Sequence, residues 1–236
     1  KSLRHALESD PDGRSTLCWV VAIAPLRFAI DVYALGATGF SLALTVATLY
    51  ICATFVATHQ TAIIEVADVD GVRIGGLLLQ AGAPHATTNA VSPALLRWGE
   101  SGTYAGHPDA PGVMSDVFAR IGGPDGTADS PVGATTMVYV ASGHVIGDNL
   151  WLWRADHAAG GPVAPATNGC DHAIVVDGDD VSMYGLAAEH TLKDLSLWNG
   201  ERGATYFYQS ELPYDVTQAQ YGDPGYAGYR VASHVQ

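Results

Sequence analysis

Apolar residues recur along this chain in short alternating runs rather than in helical stripes. Three runs superpose without gaps: Val72–Leu79, Val145–Leu152 and Val181–Ala188. Each has apolar residues at its first, sixth and eighth positions. Each follows a turn-forming cluster: Asp68-Val69-Asp70-Gly71, Ser142-Gly143-His144 and Asp177-Gly178-Asp179-Asp180. Short strands separated by such turns and repeated as similar units predict an all-β solenoid. The alignment also assigns columns, so Gln80, Trp153 and Glu189, which follow the three runs, should project from one side.

Further strands are predicted over Ala62–Val66, Asp116–Gly123, Leu195–Trp198 and Ala204–Glu211, with two within Thr135–Trp153. The stretches from Gly82 to Gly112 (interrupted by Ala94–Trp98), from Ala158 to Cys170 and from Pro213 to Tyr229 read as loop. Helical periodicity is weak past Val56.

The N-terminal segment follows different rules. No charged residue occurs from Tyr33 to Val56, a length that could cross a bilayer as a helix. Its Thr, Val and Gly content and the lack of a strong basic flank fit buried strands of the first rungs better, so membrane association is not expected. A third reading is that residues 1–52 do not belong to the fold. The solenoid domain is therefore assigned to 53–236. Neither end resembles a cap, and the chain reads as a C-terminally incomplete piece of a longer protein.

Composition narrows the partners. The net charge of −13 argues against nucleic acid and against anionic membrane surfaces. An acidic surface with Trp and Tyr suits neutral ligands, of which carbohydrate is the obvious class. The three cysteines, Cys18, Cys52 and Cys170, form no CxxC pair and no metal-ligand spacing, so no disulfide framework, metal or cofactor is expected. The Asp177–Asp180 cluster lacks the loop of an EF-hand and reads as turns. No GxGxxG and no GxSxG is present.

Strand alternation places Trp151 and Trp153 on one face and Leu150 and Leu152 on the other. The apolar sixth and eighth positions of the repeat send the Leu pair inward. Two outward indoles make a stacking platform for sugar rings. Trp198, Tyr206, Tyr208 and Tyr214 are expected to extend that surface.

The segments Trp151–His157, Trp198–Gly200 and Thr205–Asp215 resemble large secreted actinobacterial proteins that often carry a discoidin-type (coagulation factor 5/8) domain. Those proteins are built on a right-handed parallel β-helix of the pectate-lyase-like superfamily. They are distantly similar to glycoside hydrolase family 55 β-1,3-glucanases, which use two β-helix domains. The resemblance covers roughly Ala53 to Gln236. It implies a secreted protein, expected to be a monomer with further domains, acting on a polysaccharide such as β-1,3-glucan.

In such a fold, Glu189 and Glu211 lie about one turn apart, on adjacent rungs about 4.8 Å from each other. Glycosidic cleavage needs one carboxylic acid to protonate the leaving oxygen and one carboxylate as nucleophile or base. Glu211 is the preferred acid, with Glu189 and Asp156 as base or stabiliser. Family 55 enzymes invert, so the analogy favours the more distant Asp156 as base. His157 and His190 flank these acids and could tune them, and Arg154 could orient a carboxylate or a sugar hydroxyl. Two rival readings remain: a non-catalytic carbohydrate-binding or adhesin module, and a polysaccharide lyase, which the scarcity of basic residues disfavours.

Overall fold

A computed structural model of the chain describes residues 54–57, 61–86, 88–100 and 102–236. The readings made for residues 1–52 lie outside the described residues. Among the described residues no helix is long and apolar enough to cross a membrane.

Two all-parallel sheets share one core. The first contains β1 (Thr54–Val56), β3 (Arg73–Gln80), β5 (Gly112–Ile121), β7 (Val145–Arg154), β10 (Ser182–Glu189) and β12 (Ala204–Glu211), hydrogen-bonded in that order. The second contains β2 (Ile64–Val66), β4 (Ser92–Trp98), β6 (Val132–Val140), β9 (His172–Val176), β11 (Ser196–Trp198) and β13 (Tyr229–Val231), also in chain order. The chain thus alternates between sheets, and each return adds one strand beside its predecessor. A short strand, β8 (Asn168–Gly169), pairs with β6 inside the segment read as loop. The Tyr-rich C-terminal stretch holds one helical turn, α1 (Gln218–Tyr221), as well as β13.

The sequence repeat is the structural register. Ile146 pairs with Ser182 and Leu152 with Ala188, while Arg73 reaches the same column through Val113. Strand β5, read from sequence as a strand over Asp116–Gly123, starts earlier and is a further copy of the repeat, with Gly112 where the others have Val. That glycine is required: a Cβ there would lie 2.6 Å from the indole of buried Trp98.

Leu77, Val117, Leu150, Leu186 and Tyr208 form one inward column of the first sheet. Tyr208 was expected on the outer aromatic surface. It instead turns inward, donates its hydroxyl to the Gly228 carbonyl at 2.6 Å and meets Tyr229 edge-on. Trp198 is corrected likewise. It is 2% exposed, in the core column of Trp98, Val140 and Val176, and Gly203 leaves the room its ring occupies.

One position of the first sheet is left-handed on five successive rungs: Gly76 (φ 68°), Asp116 (51°), Asn149 (56°), Gly185 (71°) and Phe207 (61°). The residues on both sides of each stay in register, so the kink is stacked rather than slipped. Gly, Asn and Asp tolerate this region; a bulky Phe is unusual there. The Asn149 amide also donates to Asp116 at 2.6 Å, tying two kinks together.

The turns entering the first sheet carry a second left-handed set: Gly71, His144, Asp180 and Arg202. Asp179 and Asp180 bind the Arg202 guanidinium, and Asp177 accepts from Tyr139 and Asn199. These carboxylates are built into turns. Among the described residues no cluster of His, Cys, Asp and Glu is arranged to hold a metal ion. Cys170 is a buried free thiol, its pKa pushed up by burial.

Candidate active site

The expected column exists and is longer than the repeat alone indicated. Gln80, Arg120, Trp153, Glu189 and Glu211 are successive register partners near the C-terminal end of the first sheet. Its first two members are mutually satisfied, because Arg120 donates to the Gln80 side-chain oxygen at 2.9 and 2.6 Å. Trp153, Glu189 and Glu211 form the chemically open part.

Glu189 and Glu211 stand on adjacent rungs, each with a different partner. The Trp151 indole N–H donates to Glu189 Oε2 at 2.8 Å. The register partner of Trp151 is Ala187, whose small side chain leaves the indole room to lean across the rung. Glu211 Oε2 accepts a short hydrogen bond from the Tyr214 hydroxyl. Trp151, 45% exposed, stacks on Trp153 with centroids 5.7 Å apart, and Trp153 meets the exposed His157 ring at 5.4 Å. The outward indole pair is therefore present, continued by an exposed Tyr184–Tyr206 stack at 5.0 Å.

His190 underlies the acids. It is buried, and its Nδ1 donates to the Leu212 carbonyl at 3.1 Å, which fixes the ring. Nε2 then faces Glu211 Oε2 at 3.8 Å, and the ring packs on Tyr214 at 4.6 Å.

Asp156 lies on the turn leaving β7 and bonds His157 at 2.9 Å. Partial burial pulls its carboxyl upward, but the His157 hydrogen bond, its own backbone and the field of His190 prevail. It sits below the usual carboxylate range. The Tyr214 phenol is raised, first by the bond to Glu211, then by desolvation and the charges of Glu211, Asp156 and Glu189. Of the three acids proposed from sequence, Glu211 touches this hydroxyl, while Glu189 and Asp156 act on it through charge alone.

Arg154 requires correction as a sugar-binding residue, because it is 0% exposed. It does hold a carboxylate, that of Asp215, in a salt bridge at 2.6 Å. The alternation that sends Leu150 and Leu152 inward sends Arg154 inward as well. Its partners are Asn168, the His190 carbonyl and Asp215. Sequence reading gave no role to Asp215 or Asn168. An inward-phased arginine is the signal that a buried carboxylate must exist elsewhere.

Parallel rungs that align acids and aromatic rings along one sheet define a pectate-lyase-like protein. The chain belongs to the family of LAM55 pectate lyase-like domains, whose model matches residues 41–211. It is 40% identical over 187 residues to an exo-beta-1,3-glucanase of Streptomyces sp. (strain SirexAA-E / ActE), which covers 78% of this chain and 29% of that relative. Among solved structures, sacteLam55A from Streptomyces sp. SirexAA-E gives a TM-score of 0.68. A glutamate-to-alanine variant of it in complex with glucose gives 0.69. Each is 38% identical and matched over 78% of this chain and 32% of its own. The chain spans less than a third of the length of these relatives.

Proposed function

We propose that this chain supplies the acid-bearing face of an extracellular enzyme that hydrolyses β-1,3-glucan, and that its coils form a right-handed parallel β-helix. The alternating two-sheet connectivity and the family membership support the coil. The observation that carries the activity is the in-register pair Glu189–Glu211, with Trp151 and Tyr214 each hydrogen-bonded to one of them. The 40% identity to an exo-beta-1,3-glucanase supports the substrate class.

In this reading Glu211 is the general acid. It gives its proton to the glycosidic oxygen as the bond to the anomeric carbon breaks. Asp156, held ionised below the usual range, takes a proton from a water that attacks the opposite face of the sugar. Glu189, held by the Trp151 N–H, stabilises the cationic sugar. Trp151 and Trp153 offer ring faces for stacking. This face works within a longer, monomeric protein carrying further domains, a reading supported by the match to 29% of the glucanase's length.

The test is reducing-sugar release from β-1,3-, β-1,4- and α-linked glucans and pectate, with Glu211→Gln in parallel. Product from the β-1,3-glucan alone, lost in the variant, is the expected result. A folded protein that binds the glucan but never releases sugar would assign a non-catalytic binding module instead. Product from pectate with an unsaturated end would assign a lyase.

A further inference from the structure

Arg154 has five N–H donors, and every one is used inside the protein. Nε donates to the Asn168 carbonyl at 2.9 Å and Nη2 to the Asn168 side-chain oxygen at 2.8 Å. Nη1 reaches the His190 carbonyl at 3.1 Å and Asp215 Oδ1 at 2.8 Å, while Nη2 closes a fork on Asp215 Oδ2 at 2.6 Å. Asn168 continues the chain with its amide, donating to the Ala155 carbonyl at 2.7 Å. Arg154 and Asn168 are both fully buried. A buried charge is tolerated only when it is fully paired, so the network is complete or very costly.

What it connects is specific. The His190 carbonyl follows Glu189 by one residue, and Asp215 follows Tyr214 by one. Arg154 itself follows Trp153 by one. One guanidinium, itself one residue beyond Trp153, therefore holds the His190 carbonyl and the Asp215 carboxylate, which stand one residue beyond Glu189 and Tyr214. Tyr214 lies on the segment leaving β12, is 68% exposed, and has the adjacent Asp215 as its anchor.

We infer that buried Arg154 and partly buried Asp215 form a clip that positions Tyr214 against Glu211. Arg154 is a positioning residue: it touches no reacting atom and acts through the His190 carbonyl and the Asp215 carboxylate. The inference rests on the proposed role of Glu211, but its test does not require turnover.

The experiment labels the chain with 13Cζ-tyrosine and follows the phenol resonances against pH, Tyr214 being assigned by its loss in Tyr214→Phe. In the unaltered chain Tyr214 should titrate above the usual value of about 10. Asp215→Asn, nearly the same in shape, and Arg154→Lys, which keeps the charge without the fork, should each bring it down toward that value. Circular dichroism reports the fold of each variant. A folded variant in which Tyr214 titrates as before overturns the proposal. Loss of fold in both variants also overturns it, by assigning the pair to folding alone. A chain that releases no sugar leaves this result unaffected, so the two readings fail separately.

Discussion

Trp151 donates its indole N–H to Glu189 across one rung at 2.8 Å, while its ring face lies on Trp153. A single side chain thus offers a stacking surface and holds a carboxylate in place. Hydrogen bonds to charged groups contribute about 1.5–3 kcal/mol. Trp151→Phe keeps an aromatic face and removes the donor. It should lower kcat/KM on β-1,3-glucan roughly tenfold or more, and an unchanged value would leave Glu189 without the assigned role.

Two glycines separate backbone strain from steric exclusion. A Cβ at Gly200 would lie 1.9 Å from the Gly178 carbonyl oxygen, so Gly200→Ala must displace a neighbouring turn. A Cβ at Gly185 would be in ordinary contact, 3.7 Å from Asn149 Cα, and only its φ of +71° opposes a side chain. Urea unfolding should give about 1–2 kcal/mol for Gly185→Ala, the left-handed penalty alone. Gly200→Ala should cost clearly more, and equal losses would contradict the close turn packing.

Phe207 makes the converse case. It is 89% exposed and left-handed, at the position where other rungs carry Gly, Asp or Asn. Phe207→Asn should stabilise the chain by about 1 kcal/mol, read from the same unfolding curves. A loss of stability would mean that the ring has a packing partner.

Acid sensitivity follows from the Arg154–Asp215 pair. Burial raises the Asp215 carboxyl, but the hydrogen bonds and charge of Arg154 outweigh it, leaving the group below its ordinary value. A depressed carboxyl stabilises the fold above its unfolded value of about 3.9, and that contribution fades as pH falls through the lower folded value. Between pH 5 and pH 2 the urea midpoint should therefore drop further in the unaltered chain than in Asp215→Asn. Parallel declines would refute the linkage.

The columns were legible because side chains of a parallel rung repeat every second residue and the register is set by the buried face. Val72, Val145 and Val181 alone stack Glu189 on Trp153. Arg154 shows where reading by residue type failed. Its chemistry suggested contact with a sugar hydroxyl, while the phase of Leu150 and Leu152 argued for the interior, and phase prevailed because Asp215, Asn168 and the His190 carbonyl supply every partner. Trp198 failed similarly, since the cavity that receives it is made by Gly203. The inward turn of Tyr208 needed Gly228, a contact between distant parts of the chain that no local pattern contains.

Members of the outer column are separated by 40, 33, 36 and 22 positions, from Gln80 through Arg120, Trp153 and Glu189 to Glu211, although in space they are immediate neighbours. Spatial order is thereby decoupled from contour length. The segments after β3, β5 and β7 can grow, shrink or change composition while the acids keep their spacing. A protein of this design can acquire a new rim, and with it a different choice among branched or modified chains, by insertion in those segments while the chemical groups stay fixed.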